Sequence, residues 1–261
     1  NGGILIDSDK IKEVDEFHIL KTKYPQIEIY DYGNKLITAG FVDCHMHYPQ
    51  TRIIASYGKR LLDWLNDYTF PEEQKFENYD YAKDIASFTL DLCLRNGTTT
   101  LASFCTTSVN SVDAIFEEAE TRKMCVIAGK TCMDRNAPKL LTDSVKRSYD
   151  DSKYLIKKWH LNERNIYAIT PRFVPTSSPE QLEILGNLWE EHPDCLMQTH
   201  LSEQEEEVRW VKKLFPDIKS YLEVYHKFNL VKEKSIFGHC IHLQKREIDL
   251  LKEIKSSVAH C

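Results

Sequence analysis

Seven short apolar runs separated by segments of helical periodicity constrain this chain more than any single motif. They are LITAGFVDCH (36–45), TTTLASFC (98–105), MCVIAGK (124–130), NIYAITPR (165–172), CLMQTH (195–200), SIFGHC (235–240) and SSVAHC (256–261). Between them, Ile85, Phe88, Thr89 and Leu92, and later Val145, Tyr149, Ile156 and Trp159, recur at helical spacing, and Gly97 is placed to stop the first of these helices. Near-continuous apolar strands alternating with amphipathic helices predict a parallel sheet covered by helices. No GxGxxG or GxxxxGK[ST] loop follows any run, so a (β/α) barrel is favoured over a doubly wound nucleotide-binding sheet. Residues 1–36, with ILID and IEIY alternating, are expected to form part of a small β appendage, and 37–261 the barrel.

Composition narrows the function classes. The 261 residues are 42% hydrophobic and 28% charged, ordinary for a globular protein with a large core. A net charge of -6 argues against a general nucleic-acid surface. No run of 18 apolar residues occurs and the N-terminus lacks the order of a signal peptide, so a soluble, cytoplasmic protein with no membrane partner is expected. The eight cysteines form no CxxC pair and are expected as reduced, mostly buried thiols.

In (β/α) barrels the active site is built at the C-terminal strand ends. His45 and His47 close the first run, His200 the fifth, His239 the sixth and His260 the seventh. The other five (His18, His160, His192, His226, His242) fall in the appendage, helices or connections. Histidine is a poor choice for filling a core, so this collection at strand ends predicts a metal site. Imidazole ligands suit zinc best, although iron, cobalt and nickel also accept them. A metal that lowers the pKa of a bound water makes hydrolysis the natural chemistry. Glu203, three residues past His200, could be a first-turn carboxylate of a helix capped by Ser202. Its place beside a ligand candidate favours a general base.

The ordered motifs FVDCHMH, THLSE, GHC and AHC, together with HYPQ, LLDWLNDYTFPEEQKF, NGTTT, GKTCMDRNAP and TPRF, resemble the amidohydrolase superfamily and, within it, the metal-dependent guanine deaminases, from about residue 36 to the end. The resemblance implies a (β/α)8 TIM-type barrel that hydrolyses guanine to xanthine and ammonia with one zinc per chain, or another divalent metal. It implies His45, His47, His200 and His239 as ligands and Glu203 as proton shuttle. It further implies Gln50 and Arg172 as hydrogen-bonding partners of the purine and Phe173 as a residue packed against it. Those residue types suit a purine, since an amide donates and accepts along a heterocycle edge and a guanidinium suits a carbonyl oxygen gaining negative charge. Trp64, Tyr68 and Phe70 are expected to pack as an extra helix on the barrel rim, to wall the substrate cavity, or both. Such enzymes are often dimeric, so the resemblance implies a homodimer.

Two departures accompany the resemblance. The family's last metal-site residue is an aspartate after strand eight, whereas this chain ends at Cys261 within strand seven, and it begins at Asn1 without a methionine. The expectation is a fragment that lacks both its N-terminal start and its C-terminal part, with strand eight missing. His242 could replace His239 as ligand, but the strand ends at His239; His260 is expected to lie behind the ligands or on the substrate side rather than to be a direct ligand. A barrel hydrolase acting on another amino-heterocycle, or a non-catalytic scaffold, are the alternative readings. Because open strand edges invite aggregation, the 261-residue polypeptide alone is expected to be poorly soluble and inactive; a soluble preparation that releases ammonia from guanine would refute this.

Overall fold

The computed structural model describes residues 1–58 and 60–261, which separate into two compact units, Asn1–Ala39 and Gly40–Cys261. In the first, β1 (Gly2–Asp7) and β2 (Lys10–Glu16) form an antiparallel hairpin followed by α1 (Phe17–Lys23). The turn places Ser8 at a φ of 61°. IEIY (27–30) is not a strand: Ile27, Ile29 and Tyr30 are exposed, and no strand among the described residues pairs with them. Alternating apolar residues specify a face, but a strand also needs a neighbour for its N–H and C=O groups.

The second unit runs β3 (Phe41–His47), α2 (Leu61–Trp64), α3 (Phe70–Glu73), α4 (Tyr79–Arg95), β4 (Thr98–Phe104), α5 (Val109–Arg122), β5 (Cys125–Gly129) and the two-residue β6 (Thr131–Cys132). It continues with α6 (Val145–Trp159), β7 (Asn165–Pro171), α7 (Pro179–Glu191), β8 (Leu196–Leu201), α8 (Glu205–Leu214), α9 (Tyr221–Lys227), β9 (Ser235–His239), α10 (Lys245–Ile254) and β10 (Ser257–Ala259). Strands β3, β4, β5, β7, β8, β9 and β10 lie side by side in chain order, every pair parallel, as a nearly closed TIM-type barrel with its eighth strand position unfilled among the described residues.

The first strand starts later than its apolar run predicts, at Phe41 rather than Leu36. Its partner β4 begins only at Thr98, and the Phe41 amide already donates to the Gly97 carbonyl at 2.8 Å. The other six strands overlap their expected runs.

Local chemistry explains the helices. The side chains of Asn78, Ser144 and Ser178 accept the amides of Tyr81, Arg147 and Gln181 at the starts of α4, α6 and α7. Gln204 with Glu207 and Gln244 with Glu247 form capping boxes on α8 and α10. Gly97, at a φ of 85°, ends α4 as expected. The apolar stripe of α4 is only half covered: Ile85 and Thr89 are buried, whereas Phe88 and Leu92 are exposed. The cysteines are all free, but only Cys105, Cys132 and Cys195 are buried; Cys44 and Cys261 are exposed, which corrects the expectation of mostly buried thiols.

One contact shows how tightly sheet layers meet. A Cβ on Gly129 would lie 1.7 Å from the Ala168 carbonyl oxygen of the neighbouring β7, so backbone would have to move. Gly129→Ala should therefore cost about 3 kcal/mol and lower Tm by on the order of 10 °C. Gly2→Ala, where nothing lies within 4 Å, should be nearly silent in the same calorimetric scan.

Candidate active site

All eight residues singled out in the sequence (His45, His47, Gln50, Arg172, Phe173, His200, Glu203 and His239) line one cavity of about 320 Å³ at the C-terminal strand ends. That volume is at the lower end of the roughly 300–1,000 Å³ range of small-molecule pockets. Met46, Leu61, Trp64, Leu65 and Cys261 complete the lining.

The two histidines of β3, at alternate positions, sit on an irregular strand. Between Asp43 and Met46 the register against β4 slips, and the Asp43 carboxylate accepts the His45 amide at 3.1 Å inside the slip. Such bulges bend a strand and re-aim side chains at barrel rims. His200 is the penultimate residue of β8, where its Nδ1 lies 2.7 Å from the Arg172 carbonyl oxygen. An imidazole that donates Nδ1–H to a carbonyl keeps a lone pair on Nε2. That Nε2 faces His47 Nε2 at 2.9 Å. His45 packs edge-on against both His200 and His239, with ring centroids 4.9 Å apart in each case.

The ligand atoms of His45, His47 and His200 lie within 4.8 Å of one another, as do those of His45, His239 and Cys261. His45 thus belongs to both groups. Burial, followed by the neighbouring His239, pushes His45 down to about 4. Burial first and adjacent histidines second hold His47 and His200 well below the usual imidazole range, and burial lowers His239 as well. Three imidazoles with nitrogens within 4.8 Å of one another (His45, His47 and His200), one of them with a buried Nδ1 that has no protein partner, and a fourth, His239, that meets His45, form a donor set suited to a divalent cation.

Glu203 is not part of α8. The helix is capped by Gln204, and Ser202 sits at a φ of 53° without capping anything, so the first-turn reading of Glu203 does not describe the geometry. Instead its amide donates to Glu207 at 2.8 Å, and its carboxylate comes within 3.5 Å of His239 Nε2. Burial first, and the Glu207 carboxylate second, push Glu203 up to about 7.

The segment after β3 supplies what sequence reasoning missed. Residues 65–69 form a π-turn between α2 and α3, and the Phe70 amide reaches back to the Leu65 carbonyl. Pro71 explains the widening, since its ring and missing N–H are incompatible with ordinary helical bonding to the preceding turn. The widened turn faces Trp64 and Leu65 into the cavity, buries Phe70 beside Phe173, and leaves Tyr68 partly exposed. It also delivers Glu73, 1% exposed, to the Arg172 guanidinium at 2.6 Å and to the Gln50 amide at 3.2 Å. PEEQ reads as the surface of a short helix, and nothing in the sequence pairs it with a residue so far along the chain. His260 is exposed with Nδ1 3.2 Å from the His239 carbonyl oxygen, and His242 is exposed outside the cavity.

The sequence pattern of the Amidohydrolase family matches residues 36–261. The chain belongs to this family. Among amidohydrolases it is 48% identical to guanine deaminase of Escherichia coli, over the whole of this chain and 60% of that protein. The solved E. coli guanine deaminase superposes with a TM-score of 0.97, covering 100% of this chain and 60% of that one. A guanine deaminase from C. acetobutylicum, solved with guanine bound in its active site, is 36% identical with a TM-score of 0.93, covering 99% of this chain and 62% of that one. This amidohydrolase chain thus spans about 60% of the length of such relatives.

One backbone position guards the imidazole cluster. A Cβ on Gly238 would sit 2.5 Å from His45 Cε1 and 2.8 Å from its Nδ1. Gly238→Ala should displace the His45 ring and weaken divalent-metal binding by about 10- to 100-fold. Competition with a chromophoric chelator measures this, with an unchanged circular dichroism spectrum as the control.

Proposed function

We propose that the intact protein is a zinc-dependent guanine deaminase that converts guanine and water to xanthine and ammonia. The observation that carries this reading is the meeting, in one cavity, of an imidazole cluster, a carboxylate beside it, a guanidinium and an amide bound to one carboxylate, and a buried phenylalanine. The 48% identity to a guanine deaminase supports the choice of substrate.

His45, His47, His200 and His239 would hold one zinc. When bound, the ion supplies a water nucleophile at neutral pH. Glu203, close to His239 and free of the helix behind it, takes a proton from the attacking water and delivers it to a ring nitrogen of the purine. Arg172 and Gln50 hydrogen-bond the purine edge, and Phe173 packs against its face. Trp64 and Leu65 exclude water from the same space. No described helix is long and apolar enough to cross a membrane. We further propose that the protein works in the cytoplasm on a free small molecule, with a second copy of the chain as its partner.

In the protein expressed from its complete coding sequence, Glu203→Gln should retain zinc while ammonia release from guanine falls by about 10²- to 10⁴-fold. His200→Ala should lose the metal as well as turnover. Metal analysis and an ammonia assay on the same samples separate the two, and near-normal turnover in Glu203→Gln would remove that carboxylate from the mechanism.

A further inference from the structure

Glu73 is a buried carboxylate that the proposed chemistry does not consume. One of its oxygens accepts from Arg172 Nη1 at 2.6 Å and the other from Gln50 Nε2 at 3.2 Å, and the guanidinium stacks over the Phe70 ring with Cζ 5.6 Å from its centre. Arg172 is itself only 3% exposed, so the ion pair is nearly dry, and the half-buried Gln50 joins it in lining the cavity.

This arrangement fixes which way the amide points. An ion-paired carboxylate can only accept hydrogen bonds, so Gln50 must turn its NH2 toward Glu73. Its carbonyl Oε1 is then the acceptor offered to the cavity. Arg172 has one nitrogen engaged by Glu73 and presents its remaining N–H groups as donors. The wall therefore offers one acceptor beside one set of donors, the complement of an edge carrying N–H next to C=O.

We propose that Glu73 is a positioning residue that sets the polarity of this wall, so that the site takes a 6-oxopurine edge and rejects a 6-aminopurine edge. This rests on the reading of the site as a purine deaminase. A 6-oxopurine shows N1–H to Gln50 and the 6-carbonyl to Arg172. A 6-aminopurine shows a bare N1 and an NH2 group, which leaves acceptor facing acceptor and donor facing donor. Buried polar groups left unpaired in this way are the strongest source of discrimination available to a pocket. Without Glu73, Gln50 is free to turn over and accommodate either edge.

The test compares guanine with 2,6-diaminopurine, which keeps the 2-amino group and differs at position 6 and in the proton on N1, using the full-length zinc-loaded protein. Glu73→Gln should raise KM for guanine by about 10- to 100-fold with a smaller change in kcat, and should narrow the preference for guanine at least about 10-fold at unchanged zinc content. In a Gln50→Ala background the same substitution should no longer change the preference. A folded, zinc-loaded Glu73→Gln protein with unaltered preference, or with kcat lowered equally for both substrates at unchanged KM, overturns the proposal. Should Glu73→Gln fail to fold, Glu73→Asp is read in the same way, because its shorter carboxylate cannot span both partners.

Calorimetric binding of hypoxanthine and adenine separates this proposal from the deaminase reading. Wild-type protein that deaminates neither substrate but prefers hypoxanthine, with the preference lost in Glu73→Gln, sinks the deaminase reading and keeps the role of Glu73. Equal binding of both ligands by the wild type overturns the role of Glu73.

Discussion

The site hangs on a single buried ion pair. Arg172 and Glu73 are both almost without solvent, and taking two such charges out of water is repaid only where geometry is good and the leftover hydrogen-bonding groups are satisfied. Here Gln50 takes the second oxygen of Glu73. The main chain of Arg172 is equally committed: its carbonyl oxygen receives the His200 amide at 3.1 Å, the Thr199 hydroxyl at 3.2 Å and His200 Nδ1 at 2.7 Å. The side chain of one residue lines the cavity beside the imidazole cluster while its peptide orients a member of that cluster. Removing either partner would strand a buried charge, at a cost of roughly 3–5 kcal/mol, and would loosen both walls together.

The barrel makes such double use possible. Parallel strands all deliver their C-terminal ends to one face, so histidines far apart in sequence need only be last in their strands to meet. What the regular fold does not supply comes from local irregularity. The register of β3 slips where His45 sits, and a π-turn precedes the short helix that carries the buried Glu73.

The same distinction explains what could be read from the sequence. Strand-ending histidines are local features, and their convergence follows from the barrel rule once the apolar runs are recognised. The family motifs brought Gln50, Arg172 and Phe173 into view, and the structure places them in the same cavity. Glu73 was not legible, because its meaning lies in a tertiary partner 99 residues away. IEIY misled for a related reason: periodicity records which side chains could share a face, not whether a neighbouring strand exists to complete the ladder. Phe88 and Leu92 have helical spacing, yet they stay exposed because the face they share is not covered among the described residues.

Glu203 shows how a neighbouring residue can free a functional one. The start of α8 presents unpaired amides that attract whatever carboxylate is nearest. Glu207 answers that demand, accepting the amides of Glu203 and Gln204 at 2.8 and 3.3 Å while Tyr221 donates its hydroxyl to the other oxygen at 2.7 Å. With the helix already capped from within, the Glu203 carboxylate has no structural claim on it and remains at the cavity, 3.5 Å from His239. A sequence run of acids that looks redundant, EQEEE, is therefore divided between two roles, and the internal cap is what allows the first acid of the run to stay outside the helix.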